Sequence, residues 1–136
     1  MHDRLAALPG YALRRAANAM MGELTTRLAE TDMRVTDASV LMLVGDQQDV
    51  TSSEIGRALD IQRANMVPLL NRLEVAGLIE RTPLDRKSLA IRLTSAGRER
   101  LREVEAVTAA FEADLMARIP AEHRAHFVPA LNALWR

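Results

Sequence analysis

The feature that most constrains this chain lies between Thr51 and Thr94, where two helical patterns meet at a short turn and then give way to strand alternation. Thr51-Ser52-Ser53-Glu54 fits a capping box, in which a Thr hydroxyl and a Glu three residues later satisfy free backbone donors. It predicts a short helix from Ser52 to Leu59 with Ile55, Ala58 and Leu59 buried. Asp60-Ile61 supplies a tight turn. A second helix then runs from about Gln62 to Val75, with Met66, Leu69, Leu70 and Leu73 inward, and Gly77 stops it. Leu78 to Arg81 reads as a strand. Ser88 to Thr94 alternates, with Leu89, Ile91 and Leu93 on one side and Ala90 and Arg92 on the other. The link Thr82-Pro83-Leu84-Asp85-Arg86-Lys87 is polar and basic, so the two strands form a β-hairpin with a charged tip.

Helices flank this unit. Pro9-Gly10 precedes a helix from about Tyr11 to Ala29, whose Leu13, Ala17, Met20, Met21, Leu24 and Leu28 fall on one face. Thr36 is the expected N-cap of the next helix, which carries Val40, Leu41, Leu43 and Val44 and ends at Gly45-Asp46. Thr94 or Ser95 opens a long fifth helix with a heptad-like seam at Leu101, Val104, Thr108, Phe111 and Leu115. Pro120 breaks it, and a last helix from about Ala121 to Leu134 carries Phe127, Leu131 and Trp135 nearby. The expected architecture is mainly α with a small β-hairpin wing: a winged helix-turn-helix between N- and C-terminal helices. The 136 residues suit one domain with a sizeable core.

The net charge is zero, yet its distribution is uneven. Residues 51–102 hold ten basic and six acidic groups, and each flank carries an acidic excess of two. A basic centre between acidic flanks is what a chain needs if only its centre meets phosphate. There is no cysteine, which excludes disulfides and thiolate metal sites. The longest apolar run, Val40 to Val44, is far short of the ~20 residues needed to cross a bilayer. Met1-His2-Asp3-Arg4 leads into no long apolar run, so no signal peptide and a cytoplasmic location are expected. No Ser-His-Asp set, phosphate-binding glycine loop or paired carboxylate is present, so no enzymatic activity and no cofactor are expected. His123 and His126 lie three apart without a third ligand at suitable spacing, so no metal site is expected either.

Two helices crossing at a short turn can lay the second in a major groove about 12 Å wide. Its outward face here carries Gln62, Arg63, Asn65, Pro68, Asn71 and Arg72. Gln and Asn can pair bidentately with adenine, and Arg with guanine. A hairpin beside that helix can set Arg86 or Lys87 against phosphates or in the minor groove. Base contacts are expected from Gln62, Arg63, Asn65 and Asn71, and backbone contacts from Ser53, Arg72, Arg86 and Lys87. A merely solvated face has the same composition, and Arg57 fits either reading. Pro68 removes one intrahelical hydrogen bond, which predicts a local bend with Pro68 outward. The competing class is a winged-helix protein-interaction module without DNA binding.

The stretch from Ser53 to Leu101 resembles the MarR family. The residues that carry the resemblance are Glu54 to Leu59, Leu70 to Arg81, Asp85-Arg86-Lys87-Ser88 and Ile91 to Gly97. The resemblance implies a homodimeric winged helix-turn-helix regulator, commonly a repressor released from a palindromic operator by a small, often aromatic or acidic, ligand. On that basis residues 36–94 are the DNA-binding part of a single domain spanning 1–136, and 1–30 and 95–136 are dimerisation helices. Phe111, Leu115, Phe127, Leu131 and Trp135 are the expected interface residues; burial within one subunit is the alternative. Arg14, Met20, Met21 and Met42 are candidates for a ligand pocket, against surface and core roles. The family's wing pattern is Asp, any residue, Arg. Here Lys87 holds the Arg position, which keeps the charge and loses the planar fork. Asp85 is either a turn former or a clamp on Arg81 that stiffens the wing.

Overall fold

Local hydrogen bonds set where the elements begin and end. The computed structural model describes residues 1–136. Helices α1 (Pro9–Leu28) and α2 (Val35–Asp46) lead into β1 (Val50–Thr51), α3 (Ser52–Leu59) and α4 (Arg63–Val75). Strands β2 (Ile79–Pro83) and β3 (Leu89–Leu93) follow, then α5 (Ser95–Arg118) and α6 (Arg124–Asn132). Pro9 occupies the first turn of α1, where its missing N–H costs nothing. The start of α3 is half the expected box. The Thr51 hydroxyl oxygen accepts from the Glu54 N–H at 3.3 Å, but Glu54 takes the Thr51 hydroxyl rather than a backbone N–H. Thr94 caps α5 by accepting from the Gly97 N–H at 3.0 Å. Thr36 is not the cap of α2. That helix starts one residue earlier, and Asp37 accepts the Arg34 N–H at 3.1 Å.

The sheet has three strands rather than two. All pairings are antiparallel, in the order β1-β3-β2, with Val50 opposite Ile91 and Arg81 opposite the same residue from the other side. The expected in-out alternation of β3 therefore fails at Ala90, which is as buried as Ile91. Neighbouring residues of a strand face opposite ways, so the central strand is covered on both sides. Pro83 ends the edge strand β2, where no ladder partner needs its N–H.

One apolar cluster unites α2, α3, α4 and the sheet, and reaches Leu28 of α1 and Val104 of α5. Met66, Leu69, Leu70 and Leu73 enter it from α4 as their spacing predicts. On α3 the buried residues are Ile55 and Gly56; Ala58 is exposed, contrary to expectation. A Cβ on Gly97 would lie 2.0 Å from the Leu78 carbonyl oxygen, so only glycine lets α5 begin against the sheet. The terminal helices differ. In α1 only Leu28 is buried, and in α6 no residue is. No helix is long and apolar enough to cross a membrane.

Candidate nucleic-acid interface

The turn between α3 and α4 is made by Asp60, whose left-handed backbone (φ 53°) ends α3. The Ile61 N–H returns to the Gly56 carbonyl at 2.8 Å. A Cβ on Gly56 would meet the Ile61 carbonyl oxygen at 3.0 Å, so the absence of a side chain there permits the close helix crossing. Beyond the turn α4 presents Gln62, Arg63, Asn65, Pro68, Asn71 and Arg72 to solvent. The helix runs unbroken through Pro68, with that ring on the exposed side. Val67 shares the exposed surface, an apolar group suited to a thymine methyl. The sequence reading passed over it because an apolar residue beside Met66 reads as core. An open cleft separates this helix pair from the hairpin; Ser53, Arg57, Gln62, Arg63, Val67 and Lys87 are among the residues that line it.

Two of the outward residues already have partners inside the chain. The Arg72 guanidinium donates to Asp37 of α2 at 2.5 Å, and the Asp37 side chain is almost wholly buried. Asn71 accepts from Arg81 at 2.9 Å, and Arg81 also pairs with Glu74 at 3.4 Å. Asn71 and Arg72 are thus mounts of α4 as well as surface residues. Asp37 was missed. The available signal was an acid one step from Ala38 and three from Val40 at the start of a largely apolar helix, which demands a partner for its charge.

The hairpin tip is ordered by Asp85, but not as a clamp on Arg81. Its carboxylate accepts from the Lys87 N–H at 2.8 Å, the Ser88 N–H at 2.9 Å and the Ser88 hydroxyl at 2.8 Å. These donors, led by the Lys87 N–H, hold the Asp85 carboxyl below the usual carboxylate range. Arg81 turns to Asn71 and Glu74 instead, so the clamp at the root of the wing runs to α4. Arg86 and Lys87 stand exposed on the turn that Asp85 closes.

The other expected residues divide. Leu115, Phe127 and Leu131 are half-buried, and Trp135 is 69% exposed. Phe111 is 1% exposed, so its own chain covers it, with the Arg27 guanidinium 5.5 Å from the ring centroid; it is not a free interface anchor. Arg14 and Met21 are exposed on α1, Met20 is half-buried, and Met42 packs on the core. A separate cleft of about 560 Å³ lies between the end of α2, β3 and α5, lined by Arg92, Arg98 and Arg102 among others, and none of those four residues borders it. His123 and His126 are exposed, and no three His, Asp or Glu side chains converge as a metal site.

Residues 31–88 match the MarR family. The transcriptional repressor CouR bound to a 23-mer DNA duplex superposes with a TM-score of 0.90 and 31% identity, over 97% of this chain and 95% of that one. CouR from Rhodococcus jostii RHA1 bound to p-coumaroyl-CoA superposes with a TM-score of 0.87 and 26% identity, over 98% and 95%. The HTH-type transcriptional repressor Rv2887 of Mycobacterium tuberculosis is 27% identical over 127 residues, 92% of this chain and 91% of its own. Its complex with salicylic acid superposes with a TM-score of 0.74, over 94% of this chain and 96% of that one.

Proposed function

Because the chain belongs to the MarR family, we propose that it is a homodimeric, sequence-specific repressor that binds duplex DNA and leaves it when a small organic ligand binds. The observation that carries this is the exposed polar face of α4, rigidly mounted beside a basic wing. CouR has been seen on a DNA duplex, which supports the same use of the face here. In this reading Gln62, Arg63 and Asn65 read base edges, while Asn71 divides its amide between DNA and Arg81. Ser53, Arg86 and Lys87 hold phosphates, Arg72 is engaged by Asp37 in place of the phosphate expected for it, and Val67 and Pro68 make apolar contact. Residues 36–94 form the DNA-binding part of a single domain. The helices at 1–30 and 95–136 form the two-fold interface, with Leu115, Phe127, Leu131 and Trp135 shielded by the second copy. The protein acts in the cytoplasm and has no enzymatic role.

The ligand is an aromatic or acidic molecule. The p-coumaroyl-CoA and salicylic acid complexes of the relatives support that class. Arg14 and Met21 stand exposed on α1 with the half-buried Met20 at their margin, where the second subunit would roof a pocket; Met42 is part of the core margin instead.

The test is a selection of duplexes from a random-sequence pool, followed by binding titrations. Arg63→Ala should relax the sequence preference, and Lys87→Ala should weaken binding to all sequences about equally. Log affinity should fall linearly with log salt as counterions are released. Duplex binding indifferent to salt, or a pool that yields no preferred sequence, would remove the basis of the reading.

A further inference from the structure

Asp37 is the one acidic residue among the buried residues. Both of its oxygens are engaged. One accepts the Arg34 N–H at the start of α2, and the other receives the Arg72 guanidinium from α4, thirty-five positions along the chain. The same junction between α1 and α2 is also held from α5, where Arg100 donates to the Thr31 carbonyl at 2.9 Å. A carboxylate removed from water is costly unless paired, and the best-supported use of such a pair is to select one arrangement over others.

The direction of the pull matters. At 3.6 residues per turn, Arg72 shares one flank of α4 with Asn65, while Arg63 and Glu74 share the opposite flank. Arg72 ties the first flank to α2; Arg81 of β2 holds Glu74 and Asn71 on the other side. Two opposed tethers fix the roll of a helix about its axis, which decides which side chains face a groove. Resting on the DNA-binding reading above, we propose that Asp37, through Arg72, sets the roll of α4 and so governs sequence discrimination. Asp37 is a positioning residue: it is buried and negatively charged, so it meets neither bases nor phosphates itself.

The experiment compares the duplex that the unaltered protein selects from a random pool with a scrambled duplex of equal composition. Asp37→Asn keeps the shape and removes the charge. It should lower the preference for the selected duplex roughly tenfold, the size of one good base contact. Affinity for the scrambled duplex and the salt slope should stay unchanged. Arg72→Gln should show the same loss of preference with the same slope. A slope reduced by about one would mean that Arg72 itself holds a phosphate, and would overturn the assignment. An unchanged preference in folded Asp37→Asn protein, or a parallel fall in both affinities, would also overturn it. If either single variant fails to give a cooperative melt, the double variant Asp37→Asn with Arg72→Gln decides alone, since it removes the tether without leaving a buried carboxylate unpaired. A pool in which the unaltered protein enriches nothing defeats the DNA-binding reading first, and the inference with it.

Discussion

The winged helix-turn-helix and the terminal helices are built on opposite terms. In the first, α2, α3, α4 and the sheet bury their apolar residues within one chain, around Ile55, Met66, Leu70 and Ile91. In the second, Leu8, Tyr11, Leu13 and Met21 on and before α1, and Val128, Leu134 and Trp135 at the other end, remain exposed. Scattered apolar residues on a surface need no explanation, whereas a contiguous group marks an interaction surface, and in the proposed reading the exposed residues of the two chain ends form such a group. The difference teaches that the reading head is finished by its own sequence, while the terminal helices leave apolar surface that, in the proposed reading, a second copy covers.

Breaking the finished half has the largest expected effect. Leu70→Ala empties a fully enclosed site on α4 and should cost about 2–5 kcal/mol in denaturant unfolding, with duplex binding lost alongside. A loss under about 1 kcal/mol would mean the core is looser than its burial indicates. Next in size is Trp135→Ala. It removes an exposed aromatic, so the chain should remain folded while dimerisation weakens by about 2 kcal/mol, read by sedimentation across a concentration series. An unchanged dimer constant would show that the second copy sits elsewhere.

The smallest effect sharpens how α1 is attached. Glu23 accepts from Arg118 at 2.7 Å and from Arg27 at 3.0 Å, and Arg27 also donates to Asp114. The Arg118 hydrogen bond, with Arg27 adding to it, lowers the Glu23 pKa to about 2. A lowered carboxylate pKa stabilises the fold above the ordinary value and loses that contribution as pH falls through the lowered one. The melting temperature of Glu23→Gln should therefore lie below that of the unaltered chain at pH 6, and the gap should close between pH 4.5 and about 2. A gap independent of pH would show that the pair does not hold α1 to α5.

The sequence disclosed what is local. The start of α3, the four inward residues of α4, and the Thr94 cap each depend on residues a few positions apart. It disclosed less where the partner is distant. Strand β1 is two residues long and exists only because β3 lies beside it, so nothing in Val50-Thr51 alone announces a strand. Phe111 fell on a seam whose mate could not be named, and it proved to be α1 of the same chain rather than a second copy. The outward residues of α4 were visible by period. That Asn71 and Arg72 are also tethered was not, because Arg81 and Asp37 come from other elements. Asp85 illustrates the remaining ambiguity: the same residue type suits a turn and an ion pair, and the nearest N–H groups claimed it.

Hydroxyl-radical footprinting on the selected duplex, with the protein's stoichiometry measured in the same solution, tests most directly whether the unfinished helices place two finished reading heads. Two protected half-sites with centres about 34–36 Å apart, or a multiple of that spacing, and two chains per duplex are the predicted result. A single protected segment bound by one chain would contradict the account.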